Sequence, residues 1–430
     1  MIPQFIIAGT GSGSGKTTLT VGILRALVKR GLKTVSFKCG PDFIDPMFHR
    51  QASGMEAYNL DGWFGNWDNY ARHLDGRDAA VTEGVMGLFD GRRAGSLEGS
   101  TAECAARLQL PVLLTVNARG MSESIAPLVK GFAQWRSDVE VIGVLANQVG
   151  SDNHAKLLAE ALANASLPPL LGYLKRDDRW RIPERHLGLT PGHLEESWLT
   201  DLARSVEATV QLDRILELAV RPCLRISRRT EQPWPIRLGV ACDDAFCFYY
   251  QELFEQLRDC GGETVFFSPL HDHALPEHLD ALYLGGGFPE LYAEVLSQNH
   301  AMLADIRRFA DAHPVYGECG GYLYLLESLA DFEGHVWPLL GLLPGQARMN
   351  PRLAALGYRE ANGPFGTARG HEFHYSTVEG TAADAPLWTA RDSRGRAAVC
   401  GACRANVRGS YVHLGPAPSN WAVFRRLLSP

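Results

Sequence analysis

One ten-residue stretch constrains this chain more than any other: GTGSGSGKTT, residues 9–18. It follows an apolar run at 5–8 and precedes a helical stretch at 19–30, so it reads as a loop joining a strand to a helix. Glycines in that position let the backbone wrap a phosphate closely, with its amides and the helix N-terminus facing the anion. Gly11, Gly13, Ser14, Gly15, Lys16, Thr17 and Thr18 are therefore expected to bind the phosphates of ATP, Lys16 reaching the terminal ones and the Thr17 hydroxyl holding Mg²⁺. The spacing is unusual. Thr10 stands where the common pattern has its leading glycine, and Gly9 supplies it one residue earlier.

A loop of this kind needs a parallel sheet behind it, and the first half of the chain supplies the pattern. Apolar runs at 5–8, 34–38, 79–83, 112–117 and 141–147 read as strands, and 19–30, 101–108 and 154–163 as helices. Residues 172–220 carry mixed signals and end in a helical stretch at about 199–219. The segment 221–235, rich in Arg and Pro, reads as a linker. A second alternating pattern follows, with strands at 236–241, 264–267 and 281–284 and a helix at 249–260. The expectation is an α/β protein of two domains, 1–220 and 236–430.

Two segments put carboxylates at predicted strand ends: Lys38-Cys39-Gly40-Pro41-Asp42-Phe43-Ile44-Asp45 and Glu83-Gly84-Val85-Met86-Gly87-Leu88-Phe89-Asp90. Ligands of open parallel sheets bind at the carboxyl ends of the strands, and Mg²⁺ with ATP takes oxygen ligands from one or two carboxylates. Asp42, Asp45, Glu83 and Asp90 are the candidates, with Lys38 placed to neutralise a phosphate or a substrate carboxylate. An Asp beside a Pro also serves commonly as a turn residue.

The second half carries a different chemistry. In Val315-Tyr316-Gly317-Glu318-Cys319-Gly320-Gly321 an apolar strand runs into Gly-x-Cys-x-Gly and then an apolar helical stretch. The glycines permit a sharp turn that exposes Cys319 at a helix N-terminus, as a nucleophile requires. Upstream, Gly285-Gly286-Gly287 follows a strand, and the amides of Gly286 and Gly287 can form an oxyanion hole. A thiol attacking a carboxamide needs a proton acceptor. His413 is the best placed by sequence context, with His371 and His374 as competitors.

Composition narrows the classes. A net charge of −6 without a basic stripe argues against nucleic acid. No run approaches the ~20 apolar residues of a membrane span, and no secretory signal precedes the first strand. The nine cysteines are mostly scattered, so the protein reads as cytoplasmic with reduced thiols; the one CxxC, Cys400 to Cys403, lacks a partner pair for zinc.

Taken together, the motifs resemble the cobyrinic acid a,c-diamide synthase family. The resemblance rests on GTGSGSGKTT, FKCGPDFIDPMFH (37–49), NLDGWF (59–64), EGVMGLFDG (83–91), PERHLGL (183–189), GGGFPELY (285–292), YGECGGYLYL (316–325) and GHEFHYS (370–376). The first half is similar to dethiobiotin synthetase. The second is similar to class I glutamine amidotransferases of the cobyric acid synthase branch, which implies a flavodoxin-like fold. The resemblance implies ATP, L-glutamine and a corrinoid as substrates, with Mg²⁺. Two acetate carboxylates would be activated as acyl phosphates and attacked by ammonia. It places Asp42, Asp45, Glu83 and Asp90 in the synthetase site and Asn147 at adenine. Hydrogenobyrinic acid and nickel sirohydrochlorin are alternative macrocycles, a homodimer is one option for assembly, and a switch ATPase carrying an inert glutaminase-like module is the alternative from another class. One departure stands out: the wider amidotransferase class has a glutamate two residues after its histidine, and here that position is Gly415. What orients His413 is left open.

Overall fold

The computed structural model describes residues 1–429 except 183, 186–187, 190–192, 225–231 and 381–385; of 184–185 and 188–189 it describes the backbone alone. The PERHLGL motif at 183–189 and the middle of the expected linker thus lie outside the described residues. The chain forms two compact units, Met1–Arg228 and Arg229–Pro430.

In the first unit the N-terminal apolar run is β1 (Ile2–Gly9). Its side chains alternate between two cores, Ile6 and Ala8 on one face and Phe5 and Ile7 on the other. A strand buried on both faces belongs in the middle of a parallel sheet, and β1 lies there. The order is β3 (Ala57–Leu60), β2 (Thr34–Cys39), β4 (Ala79–Glu83), β1, β5 (Val112–Asn117), β6 (Val141–Val149), β7 (Leu170–Lys175), all parallel. The phosphate-loop segment leads into α1 (Lys16–Lys29), which packs on the β1 face shared with Phe5 and Ile7. Val220 and Arg221 pair with Pro3 and Ile2 at the start of β1.

Several elements differ from the sequence reading. Ala57–Leu60 is a strand of four residues, too short to show a period. Residues following β2 do not stay in a turn: Ile44–Ser53 forms helix α2, with Pro46 tolerated in the first turn where its missing N–H has no partner to lose. The helical stretch near 199–219 is two helices, Glu196–Thr209 and Leu212–Leu218, broken by the extended Val210.

The second unit has a six-stranded sheet in the order Glu263–Phe267, Arg237–Ala241, Ala281–Leu284, Val315–Glu318, Val407–Ser410, Ala402–Arg404. The first five are parallel and follow the 2-1-3-4-5 order of flavodoxin-like folds. The sixth is an antiparallel edge. A five-stranded antiparallel sheet holds Ala355–Gly363, Gly366–His374 and, at its edge, the two-residue strand His413–Leu414. Trp234 packs edge-on against Trp421, and the carbonyls of Gln232 and Pro233 accept from Arg425. Both described ends of the expected linker are thus folded into their own units.

Candidate active sites

The phosphate-loop site is built at the carboxyl ends of β1, β2, β4 and β6. Gly15 has φ 98°, a conformation that glycine adopts without strain, and a Cβ there would collide with the Asn147 carboxamide. Asn147 Nδ2 donates to the Ser14 carbonyl (3.2 Å) and its Oδ1 accepts from the Gln148 amide (2.9 Å), so the side chain braces the loop from β6. Gly11 and Gly13 have open space on the side where a Cβ would stand. Ser14 Oγ is buried with no hydrogen-bond partner among the described residues. Lys16 Nζ folds across the loop onto the carbonyls of Met86 (2.6 Å) and Gly11 (3.2 Å). Burial, with Lys38 nearby, lowers its pKa. Thr18 Oγ1 turns to the Trp180 carbonyl at 3.4 Å.

Beneath the loop lies a buried ionic cluster that the sheet register dictates. Lys38 of β2 is the register partner of Glu83 of β4, which in turn sits beside Ile7 of β1. Lys38 Nζ donates to Glu83 Oε1 at 3.0 Å and pairs with Asp45 Oδ2 at 2.6 Å. Thr17 Oγ1 donates to Glu83 Oε1 at 2.7 Å and lies 3.4 Å from Asp45 Oδ1. Burial opposes every charge here. For Lys38 the burial penalty is overcome by Asp45 and Glu83, which hold its pKa above the ordinary lysine range. For Glu83 it is overcome by Lys38 and by His49, so its pKa is held below the usual carboxylate range. Asp45 goes the other way, raised by burial and by the neighbouring Asp42 and Glu83.

Asp42 and Asp90 stand at the rim of this cluster. Asp42 Oδ1 accepts from the amides of Ile44 (2.7 Å) and Asp45 (3.2 Å), capping α2 and fixing the residue that reaches Lys38. Asp90 is exposed and accepts from the Gly87 amide at 2.8 Å. The sequence reading missed His49. One turn after Asp45 on the buried face of α2, it bonds Glu83 Oε2 through Nε2 at 2.7 Å. The available signal was its i, i+4 spacing from Asp45. Thr17, Asp45 and Glu83 converge as an all-oxygen donor set of the kind Mg²⁺ takes. Among the described residues no group of three or more His, Cys, Asp or Glu stands ready to hold a metal. Such an ion would complete its shell from nucleotide phosphates and water.

The thiol site forms where Ala281–Leu284, Val315–Glu318 and Val407–Ser410 end side by side. Cys319 has φ 48° and ψ −104°, outside the regions that L-residues favour, as a nucleophile held on a sharp strand-to-helix turn requires. Its amide donates to the Ser410 carbonyl at 2.8 Å. The six-residue helix Gly320–Leu325 that follows is entirely buried. A Cβ on Gly320 would come within 3.0 Å of the Gly287 amide nitrogen, and one on Gly286 would strike the His413 ring. The nucleophile turn, the glycine run and His413 therefore share one small space.

His371 is the register partner of His413, and the two rings stack at 5.0 Å. His374 stacks on Tyr411 at 3.6 Å and bonds the Ser376 carbonyl through Nδ1 (2.8 Å). Burial sets the protonation of the whole site. It pushes the Cys319 thiol up, with the Glu290 carboxyl adding to the shift. It pulls His413 well below the ordinary histidine value, with His371 and His374 adding to the effect, and holds His371 at about 3. At neutral pH the resting pair is thiol and neutral imidazole, the state in which a histidine can accept the thiol proton.

Comparison with known proteins gives a consistent picture. Residues 5–189 match the CobQ/CobB/MinD/ParA nucleotide binding domain family and residues 237–421 the CobB/CobQ-like glutamine amidotransferase domain family. The chain is 45% identical over 406 residues to a cobyrinate a,c-diamide synthase of Syntrophotalea carbinolica, covering 90% of this chain and 88% of that protein. It is 40% identical over 430 residues to one from Priestia megaterium, with 95% and 93% covered. A hydrogenobyrinate a,c-diamide synthase of Rhizobium meliloti is 41% identical over 425 residues, with 95% and 98% covered. A switch ATPase with an inert module has no counterpart among these relatives. Similarity of this degree along nearly the whole length, across both domains, makes this chain a member of the cobyrinate a,c-diamide synthase family of glutamine-dependent amide-forming ligases.

Proposed function

We propose that this protein converts the a and c acetate groups of cobyrinic acid to acetamides, at the cost of one ATP and one glutamine for each. The observation that carries the reading is the occurrence in one chain of a buried Lys38–Asp45–Glu83 cluster under a phosphate loop and a Cys319 turn facing a glycine run and a buried histidine. The first can activate a carboxylate and the second can release ammonia. The relatives named for cobyrinate and hydrogenobyrinate supply the macrocycle.

In the synthetase site the loop amides, Ser14 Oγ and Lys16 hold the triphosphate. A substrate carboxylate attacks the terminal phosphorus, ADP leaves, and ammonia then displaces phosphate from the acyl phosphate to leave the amide. A carboxylate needs this activation because it is a poor electrophile and its oxygen a poor leaving group. Thr17, Asp45 and Glu83 would hold Mg²⁺, which would offset the charge of the phosphates. Lys38 keeps Asp45 and Glu83 in place. Asp42 and Asp90 border the pocket, and Asn147 keeps the loop in shape.

In the glutaminase site the Cys319 sulfur attacks the glutamine carboxamide carbon as His413 takes the thiol proton. The Gly286 and Gly287 amides receive the developing oxyanion. The imidazolium returns its proton to the departing nitrogen, ammonia leaves, and water attacks the thioester to release glutamate. The reading is tested by mass spectrometry after incubation with ATP, Mg²⁺ and glutamine, using cobyrinic acid, hydrogenobyrinic acid and nickel sirohydrochlorin in separate tubes. Two added amides on cobyrinic acid are expected. No amidation of any of the three, with ATP hydrolysis intact, would overturn it.

A further inference from the structure

His413 lies on a two-residue strand and is followed at the second position by Gly415, where the wider amidotransferase class has a glutamate. An acidic side chain that faces it comes from another strand. Glu318, the residue immediately before the nucleophile, ends the strand Val315–Glu318, and its Oε2 lies 3.8 Å from His413 Nδ1, with both residues 2% exposed. The carboxylate is itself anchored at three points. Oε1 accepts from Tyr316 Oη (2.9 Å) and from the Leu414 amide (3.1 Å), and Oε2 accepts from Tyr283 Oη (2.8 Å). The Leu414 bond ties the carboxylate to the peptide that carries His413. The other acidic side chain near the paired histidines, Glu372, is engaged by Arg359 Nε at 2.8 Å and by Cys400 Sγ at 3.3 Å.

We propose that Glu318 is the positioning residue for His413, its carboxylate facing Nδ1 and leaving Nε2 to the Cys319 thiol. The inference rests on the glutaminase reading above and deepens it. Neighbouring residues in sequence then divide the work: Cys319 attacks, and Glu318 fixes the group that deprotonates it. The proton moves from Cys319 Sγ to His413 Nε2 and from there to the departing nitrogen. Glu318 takes no proton in this sequence; its negative charge stabilises the transient imidazolium. A cavity of about 30 Å³ lined by Tyr250, Glu252, Tyr283, Glu318, Leu414 and Gly415 adjoins the carboxylate. Burial raises the Glu318 carboxyl to about 7, partly offset by the bonds from Tyr283, Leu414 and Tyr316. Among the described residues the other titratable groups facing it are Tyr250 and Glu252 across the cavity, Tyr283, Tyr316 and His413.

The experiment is Glu318→Gln in the full-length protein, with glutamine hydrolysis followed as kcat and KM, melting temperature read alongside, and Cys319→Ser as a control. A fall in kcat of roughly 10²-fold is expected at nearly unchanged KM. That is short of the ~10⁴-fold loss when a directly bonded orienting carboxylate is replaced in a serine protease. The rate of Cys319 alkylation by iodoacetamide is also expected to rise near pH 7 in the parent protein and to lose that rise in Glu318→Gln. Unchanged kcat, or a loss confined to KM, overturns the proposal while leaving the glutaminase reading intact. Full hydrolysis by the Cys319→Ser control would sink that reading instead. Should Glu318→Gln melt markedly lower, Tyr283→Phe decides: it removes one anchor from the carboxylate, and kcat should fall several-fold, whereas an unaltered kcat overturns the proposal.

Discussion

The two sites solve the same problem, a reactive group kept out of water, in opposite ways. In the first unit burial is answered with charge. Lys38, Glu83, Asp45 and His49 form a network in which partners outweigh the burial penalty on Lys38 and Glu83. In the second unit burial is left largely unanswered: Cys319 and His413 are driven toward their neutral forms, and the Glu290 and Glu318 carboxyls are raised to about 7. Phosphate chemistry needs standing charges to hold a polyanion and its cation. Amide hydrolysis needs a thiol and an imidazole whose charges appear only as the reaction proceeds. The difference predicts different responses to mutation.

The largest effect is expected at Lys16. Lys16→Ala should lower ligation by at least about 10²-fold while glutamine hydrolysis persists. Loss of both activities would mean that the two sites are tightly coupled. Next comes the buried network. Lys38→Ala strands two carboxylates and should cost about 3–5 kcal/mol of stability in chemical denaturation, a loss that a rim substitution such as Asp90→Ala should not produce. Asp45→Asn should abolish ligation with either glutamine or ammonia as nitrogen source, and rescue by ammonia would remove Asp45 from the synthetase site.

A smaller, signed effect separates the units. Glu290 and Glu318 have folded pKa values of about 7, above the 4.5 of a free glutamate. The folded state therefore binds more protons than the unfolded one between those values. The contribution of these groups to stability is present below about 4.5 and is lost as pH rises to about 7. Stability measured across that window should fall, and Glu318→Gln should flatten the slope; an unchanged slope would mean that Glu318 does not titrate there. The smallest effect is expected for Asn147→Ala, which removes one brace of the phosphate loop and should cost about 1 kcal/mol, visible as weaker ATP binding more than as lost fold.

Legibility followed the same division. The loop at 9–18 and the carboxylates at strand ends could be read because phosphate binding demands glycines and charges at fixed places in a parallel sheet. The sharp turn at Cys319 could be read because a strained cysteine needs glycines on both sides. His49 escaped because one histidine on a helix carries no pattern of its own, and its meaning came from Glu83, brought beside it by a sheet. Glu318 escaped because adjacency to Cys319 suggests a turn residue. Only the register of the strands at 315–318 and 407–410, and the Leu414 amide, bring it to His413. The antiparallel sheet that carries His371 and His413 was not read at all, since several of its strands have only two to five residues, too few to show a period. Asn147, expected at adenine, has both ends of its carboxamide engaged within the protein, at the Ser14 carbonyl and the Gln148 amide.

The division of labour between the two units is tested most directly with Cys319→Ser, measuring amidation of the macrocycle by mass with glutamine and, separately, with ammonium as the nitrogen source. The account predicts that glutamine-driven product falls by more than about 10³-fold while ammonium still gives the diamide. Glutamine-driven amidation at the parent rate, or loss of the ammonium-driven reaction in a protein that remains folded, would contradict it.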